Sequence, residues 1–290
     1  MDKLKLFLVF GLLVFNLSLY SFVFGFLNQN EFEIDFLPVG QGDAELIRTK
    51  RNFVLIDAGP GTKVLNELDK LVPVYKRRLD LVLITHPNID HFSGLVELAK
   101  RYEIGVVVMN GVKTENGSFK NLLKTIVDQK IPVVYARRGQ TIEFFDSIKD
   151  RVLITILWPD LNLPLGVSLP DKQLNDSSIV SLAEFKDFKV LFTGDISANV
   201  EKAILGFLPD IDVLKVAHHG SKYSTTREFL AAVRPELAVI EVGKNSYGHP
   251  TKETLARLGV QTKNVFRTDV DGLVKLFWQN NQWRVANSNQ

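Results

Sequence analysis

From residue 32 onward the apolar positions fall into short runs parted by glycine, proline and polar clusters, and the spacing within each run separates strand from helix. The runs 32–37, 44–48 and 53–57 are bounded by Gly40-Gln41-Gly42-Asp43 and Thr49-Lys50-Arg51-Asn52, which predicts three strands joined by tight turns. Across 64–72, Val64, Leu65, Leu68, Leu71 and Val72 recur at helical spacing and predict an amphipathic helix. The unbroken run 79–85 reads as a strand buried on both faces that delivers His86 at its C-terminal end. Helices are expected again over 94–102, 118–129, 226–233 and 252–258. Strands are expected over 105–109, 133–135, 151–158, 178–184, 189–193, 213–217, 238–242, 265–268 and 273–278. The pattern is mixed α/β in one continuous domain, with neither linker nor repeat. Residues 160–176, rich in Pro, Asn and Asp, make the one long loop, the kind of segment that often borders a site.

The beginning of the chain follows a different rule. Residues 6–27 are an uncharged run of 22, interrupted by Asn16, Ser18 and Ser21. As a helix at ~1.5 Å per residue the run reaches roughly 33 Å, which predicts a transmembrane helix. Lys3 and Lys5 precede it and Glu31 and Glu33 follow, so the positive-inside bias places the N-terminus in the cytoplasm and the body outside the cell membrane, single-pass. The rival is a signal peptide cleaved after Val23-Phe24-Gly25, which would make the protein secreted. The expected division is a membrane anchor or signal peptide over 1–28 and one continuous domain over 29–290.

Composition narrows the chemistry. The chain has no cysteine, which excludes disulfides, thiolate ligands and a cysteine-linked lipid anchor, so any metal must be held by N and O donors. Net charge is +2, too small for a global field that would capture nucleic acid; the clusters Lys76-Arg77-Arg78 and Arg137-Arg138 suit solvated loop or strand ends. All five histidines lie in three short motifs, Thr85-His86-Pro-Asn-Ile-Asp90-His91, Ala217-His218-His219-Gly-Ser221 and Tyr247-Gly-His249-Pro250. Imidazole and carboxylate suit borderline divalent ions, and Asp90 and Asp195 are placed to add carboxylates. Gly40 and Gly42 read as turn glycines, because no phosphate-binding lysine and helix follow.

His86-x-x-x-Asp90-His91, Thr193-Gly-Asp195 and His218-His-Gly-Ser221, in that order at strand ends, resemble the metallo-β-lactamase superfamily. Phe36-Leu-Pro-Val-Gly-Gln-Gly-Asp43, Leu55-Ile-Asp57, Asn175-Asp-Ser-Ser178 and Asn245-Ser-Tyr-Gly-His-Pro250 are similar, more narrowly, to the hydrolase domain of the ComEC/Rec2 competence proteins. The similarity covers about residues 31–278. It implies a four-layer αββα sandwich with two divalent ions, Mn²⁺ or Zn²⁺ with Mg²⁺ as a third choice, at one edge. It also implies a nuclease or phosphodiesterase acting on DNA, working at the cytoplasmic membrane with a separate DNA-uptake channel protein.

Carried over residue by residue, the resemblance puts His86 on one ion and Asp90 with His91 on the other, bridged by Asp195 and completed by His218. His219, Asp57, Asn88 and Asn175 stand as further ligands or as hydrogen-bonding partners of ligands. Asp90 would orient the attacking hydroxide and His249 would protonate the leaving oxygen. Ser221, Lys222 and Tyr247 are the expected substrate contacts. The superfamily has histidine where Asn88 stands and another near Asn175-Asp176, where this chain has none, and the competence branch has aspartate where Pro38 stands; a neutral amide oxygen suits Mn²⁺ or Mg²⁺ better than Zn²⁺. An ester, lactone or other acyl hydrolase would use the same hydroxide on carbon, and a catalytically degenerate binding module would use none.

Overall fold

Side chains alternate across each strand, so a strand apolar at every position needs cover on both faces. Phe53–Ile56, Leu81–Ile84 and Leu237–Ile240 are of this kind, buried at every position. In the computed structural model, which describes residues 3–27, 31–145, 150–279 and 281–289, that cover is a second sheet on one side and helices on the other. Leu81 and Leu83 pack into the core between the sheets, while Val82 and Ile84 face a helix-side core with Leu68, Leu95 and Leu122. In the other sheet Leu237 and Val239 join the same central core, and Ala238 and Ile240 pack with Phe229, Leu230 and Leu258. The layers are therefore helix, sheet, sheet, helix, as the αββα expectation has it.

The eight-stranded sheet runs in the order Gln282–Asn287, Val274–Gln279, Phe32–Phe36, Glu45–Thr49, Phe53–Ile56, Leu81–Ile84, Val107–Met109, Val133–Tyr135. The seven-stranded sheet runs Asn264–Arg267, Leu237–Ile240, Val213–Lys215, Phe188–Phe192, Val180–Phe185, Arg151–Trp158, Thr141–Phe145. Phe53–Ile56 is parallel to Leu81–Ile84, and Phe188–Phe192, Val213–Lys215 and Leu237–Ile240 are mutually parallel. Their C-terminal ends, carrying Asp57, Thr85-His86, Asp195, His218-His219 and Glu241, thus gather along one edge of the sandwich.

Several elements differ from expectation. The helix expected from residue 94 begins five residues earlier, as Ile89–Leu98, so Asp90 and His91 lie in its first turn rather than in a loop. The long loop holds a short helix, Asp171–Leu174, followed by the turn Asn175–Ser177. The edge strands Thr141–Phe145 and Gln282–Asn287 went unpredicted because half their positions face solvent and the apolar run is broken.

Residues Lys3–Leu27 form a single helix whose described side chains, Lys3 and 6–20, are exposed. Among the described residues no helix is long and apolar enough to cross a membrane. The expected transmembrane span of 6–27 is not supported among those residues. The boundary set at residue 28 lies outside the described residues.

Candidate metal centre

Two tight backbone features aim the side chains. Gly42 has φ of 145°, and a Cβ at that position would run into the backbone oxygen of Asp90, so only glycine lets the turn 40–43 close over the first turn of Ile89–Leu98. His218 and His219 both adopt left-handed backbone, φ 51° and 52°, a conformation that costs a residue with a Cβ and is characteristic of functional sites. This turn sends His219 into the interior and leaves His218 about a third exposed.

Around Asp195 the imidazole Nε2 atoms converge. Asp195 Oδ2 lies 3.4 Å from His91 Nε2, 3.7 Å from His219 Nε2 and 3.9 Å from His218 Nε2. Asp90 Oδ2 lies 3.5 Å from His219 Nε2 and 4.0 Å from His91 Nε2. One ligand atom from each of Asp90, His91 and His219 falls within 4.8 Å of the others, and so does the set His86, His91 and Asp195.

Hydrogen bonds on the far side of each ring decide which nitrogen faces inward. His91 Nδ1 donates to Asp57 Oδ2 at 2.7 Å, and His219 Nδ1 donates to the Glu241 carbonyl at 2.9 Å. Thr85 Oγ1 spends its only hydrogen on Asp57 Oδ2, so toward His86 Nδ1, at 3.0 Å, it can only accept. All three rings therefore carry the proton on Nδ1 and turn an Nε2 lone pair toward the centre. Nε2 of His86, His91 and His219 and Oδ1 of Asp195 are buried without any hydrogen-bond partner. Buried polar atoms of this kind are rare and costly, and bare lone pairs converging on two carboxylates fit a divalent cation held by N and O donors.

The electrostatics agree. Burial opposes charge on His91 and His219, yet Asp195 first, then Asp57 and Asp90 for His91 and Asp43 for His219, raise the former well above the usual imidazole range and the latter to about 10. Burial alone would raise the Asp90 carboxyl, but the neighbouring His91 and His219 bring it down to about 2. Asp195, likewise buried, is held well below the carboxylate range by His91 and His219. These carboxylates demand positive charge in the centre, whether from protons or from a cation. His86 differs: burial and the neighbouring His91 push it down to about 3, leaving its lone pair free.

The family model that matches this chain, the metallo-beta-lactamase superfamily, covers residues 37–243 and thus every strand end just described. The chain belongs to the metallo-β-lactamase superfamily. Its relatives include ComE operon protein 3 of Bacillus subtilis, 30% identical over 275 residues, and Recombination protein 2 of Haemophilus influenzae, 29% identical over 260 residues. The alignments take in 87% and 86% of this chain but only 34% and 29% of those proteins, so the chain spans about a third of the relatives it matches. Among solved structures it is similar to a CmlA beta-hydroxylase mutant, with a TM-score of 0.55 and 14% identity over 86% of this chain and 54% of that one. It is also similar to the metallo-beta-lactamase fold protein YhfI from Bacillus subtilis, with a TM-score of 0.54 and 12% identity over 84% of this chain and 99% of that one. At such identities these two structures show the superfamily fold alone.

Against the superfamily pattern the other predicted residues sort out unevenly. Of the two adjacent histidines it is His219, not His218, whose Nε2 reaches both Asp90 and Asp195. Asp57 points away from the centre and orients His91. Asn88 and Asn175 meet each other, Asn88 Nδ2 donating to Asn175 Oδ1 at 2.7 Å. Asn175 Nδ2 in turn faces the His218 ring at 3.3 Å, and the His249 ring lies beyond it, 5.4 Å between centroids. Burial, then the charges of His218 and His219, push His249 down to about 4. Ser221 is buried and its hydroxyl accepts from the Tyr223 N–H. Lys222 and Tyr247 are exposed on the rim, with Lys222 Nζ 5.2 Å above the Tyr223 ring.

Sequence reasoning missed the layer beneath. Lys215, wholly buried at the end of its strand, is ion-paired with Asp43 and donates to the Gly194 carbonyl at 3.2 Å. Asp43 Oδ1 lies 3.2 Å from His219 Nδ1. Glu45 and Glu241, also buried, stand beside this pair. The signal was available: Lys215, Glu45 and Glu241 are charges inside otherwise apolar strand segments, and charges rarely enter a core without partners.

Proposed function

We propose that this metal-dependent hydrolase cleaves phosphodiesters, DNA foremost, on the outer side of the cytoplasmic membrane. The observation that carries the hydrolase function is the set of partnerless Nε2 atoms converging on Asp195 and Asp90. A bound divalent ion, Zn²⁺ or Mn²⁺, would supply an acidified water and polarise a phosphoryl oxygen. His91, His219, Asp90 and Asp195 would hold it, and Asp57 and the Glu241 carbonyl would fix the ring tautomers. His249 presents a lone pair near His218 and can take up a proton from water. Asn175 and His218 offer polar atoms beside the centre for substrate oxygens.

Phosphodiester specificity is supported by the similarity to ComE operon protein 3, Recombination protein 2 and Competence protein ComA. A membrane location is supported by the exposed side chains of 6–20, including Phe7 at 74% and Phe15 at 64%, an apolar surface that water does not tolerate uncovered. A separate channel protein is the partner this arrangement calls for. The test is hydrolysis of single- and double-stranded DNA by the full chain with Mn²⁺, with Zn²⁺ and with chelator, beside Asp90→Ala. Cleavage that needs metal and disappears in a folded Asp90→Ala protein is expected. Metal-loaded protein that leaves DNA intact but cleaves an ester or lactone panel would move the substrate to carbon.

A further inference from the structure

The His91 ring has one lone pair to give, since its Nδ1 hydrogen is committed to Asp57. Yet His91 Nε2 belongs to both groups of donors, the one with Asp90 and His219 and the one with His86 and Asp195. It can ligate a single ion. Assigned to the first group, and joined by Asp195 Oδ2, it completes a set of four N and O donors, which is what a tetrahedral divalent site requires. What remains for a second ion is His86 Nε2, the other oxygen of Asp195 and the partly exposed His218, whose Nε2 lies 3.9 Å from Asp195 Oδ2 but already faces Asn175 Nδ2 at 3.3 Å. Asn175, which faces His218, is in turn bonded to Asn88 at 2.7 Å.

The orientation of Asn88 is itself informative. It occupies the N-cap of Ile89–Leu98 with extended backbone, φ −92° and ψ 143°, yet its side chain makes no cap hydrogen bond. An asparagine there ordinarily accepts from the second or third helical N–H and so stabilises the helix start. The amide is turned instead to Asn175, whose own Nδ2 is directed at His218.

We infer that this chain holds one catalytic ion, on Asp90, His91, His219 and Asp195, and that the Asn88–Asn175 pair closes the position of a second. This rests on the hydrolase function proposed above. The single-ion count replaces the two expected from the sequence and leaves His86 without an ion of its own.

The test counts metal rather than activity. The full chain is stripped with chelator, equilibrated with excess Mn²⁺ or Zn²⁺, freed of unbound ion, and assayed for metal per chain by elemental analysis and native mass spectrometry. One equivalent is expected for the unaltered chain with either ion. The double substitution Asn88→His with Asn175→His, which gives His86 two imidazole neighbours, is expected to bind a second. Two equivalents on the unaltered chain would overturn the single-ion assignment and leave the hydrolase function standing. None would overturn both. A folded double variant that stays at one equivalent would refute the role given to the asparagine pair.

Discussion

His218 and His219 share a backbone turn and the same side chain, yet only the second is buried with its ring tautomer set from behind by the Glu241 carbonyl. Replacing a partner that merely orients a ligand costs ~10–100-fold in metal affinity, so loss of a ligand itself should exceed ~100-fold. His219→Ala is accordingly expected to lose more than ~100-fold in Mn²⁺ or Zn²⁺ affinity, measured by competition with a chelating dye, while His218→Ala loses less than ~10-fold. Equal losses would contradict the division. The histidine clusters were legible in the sequence because five residues in three motifs at strand ends have little other use. Which of the adjacent pair turns inward was not, since that depends on two consecutive left-handed residues that no side-chain pattern announces. The burial of Ser221 was equally hidden from the sequence.

The strands that end at the centre could be read in advance because a segment buried on both faces is apolar without interruption. Edge strands with one face in solvent could not. The start of Ile89–Leu98 was misplaced because a helix whose first turn carries ligands opens with polar residues, so the apolar periodicity begins a turn late. Lys215 shows the opposite case, a charge that belongs inside a strand. Its ammonium neutralises Asp43, whose carboxyl burial would otherwise raise but Lys215 and His219 bring down. Breaking a buried ion pair leaves an uncompensated charge and typically costs 3–5 kcal/mol, about half the stability of an ordinary domain. Lys215→Met should therefore shift the denaturant midpoint of unfolding sharply downward, and adding Asp43→Asn should recover part of the loss. An unshifted midpoint would mean the pair contributes nothing net.

Stability of the whole molecule should depend on pH through the buried acids at the same edge. Burial first, then the Asp43 charge, raise Glu241 to about 7, and burial and Glu241 raise Glu45 well above the carboxylate range. A carboxyl that titrates near 4.5 when unfolded and near 7 when folded binds more protons in the native state between those values. Over that window the metal-free protein should lose stability as pH rises, by up to ~1.4 kcal/mol per pH unit, and Glu241→Gln should flatten the slope. A slope unchanged by the substitution would place the proton elsewhere.

The donors of the centre come from both halves of the sandwich: His86, Asp90 and His91 follow a strand of the eight-stranded sheet, Asp195 and His219 follow strands of the seven-stranded one. A chain without cysteine has no sulfur bridge to fasten one half to the other. A bound ion would do so, as a removable rivet, and scarcity of that ion would then loosen the two layers at the same moment that it silences the chemistry between them.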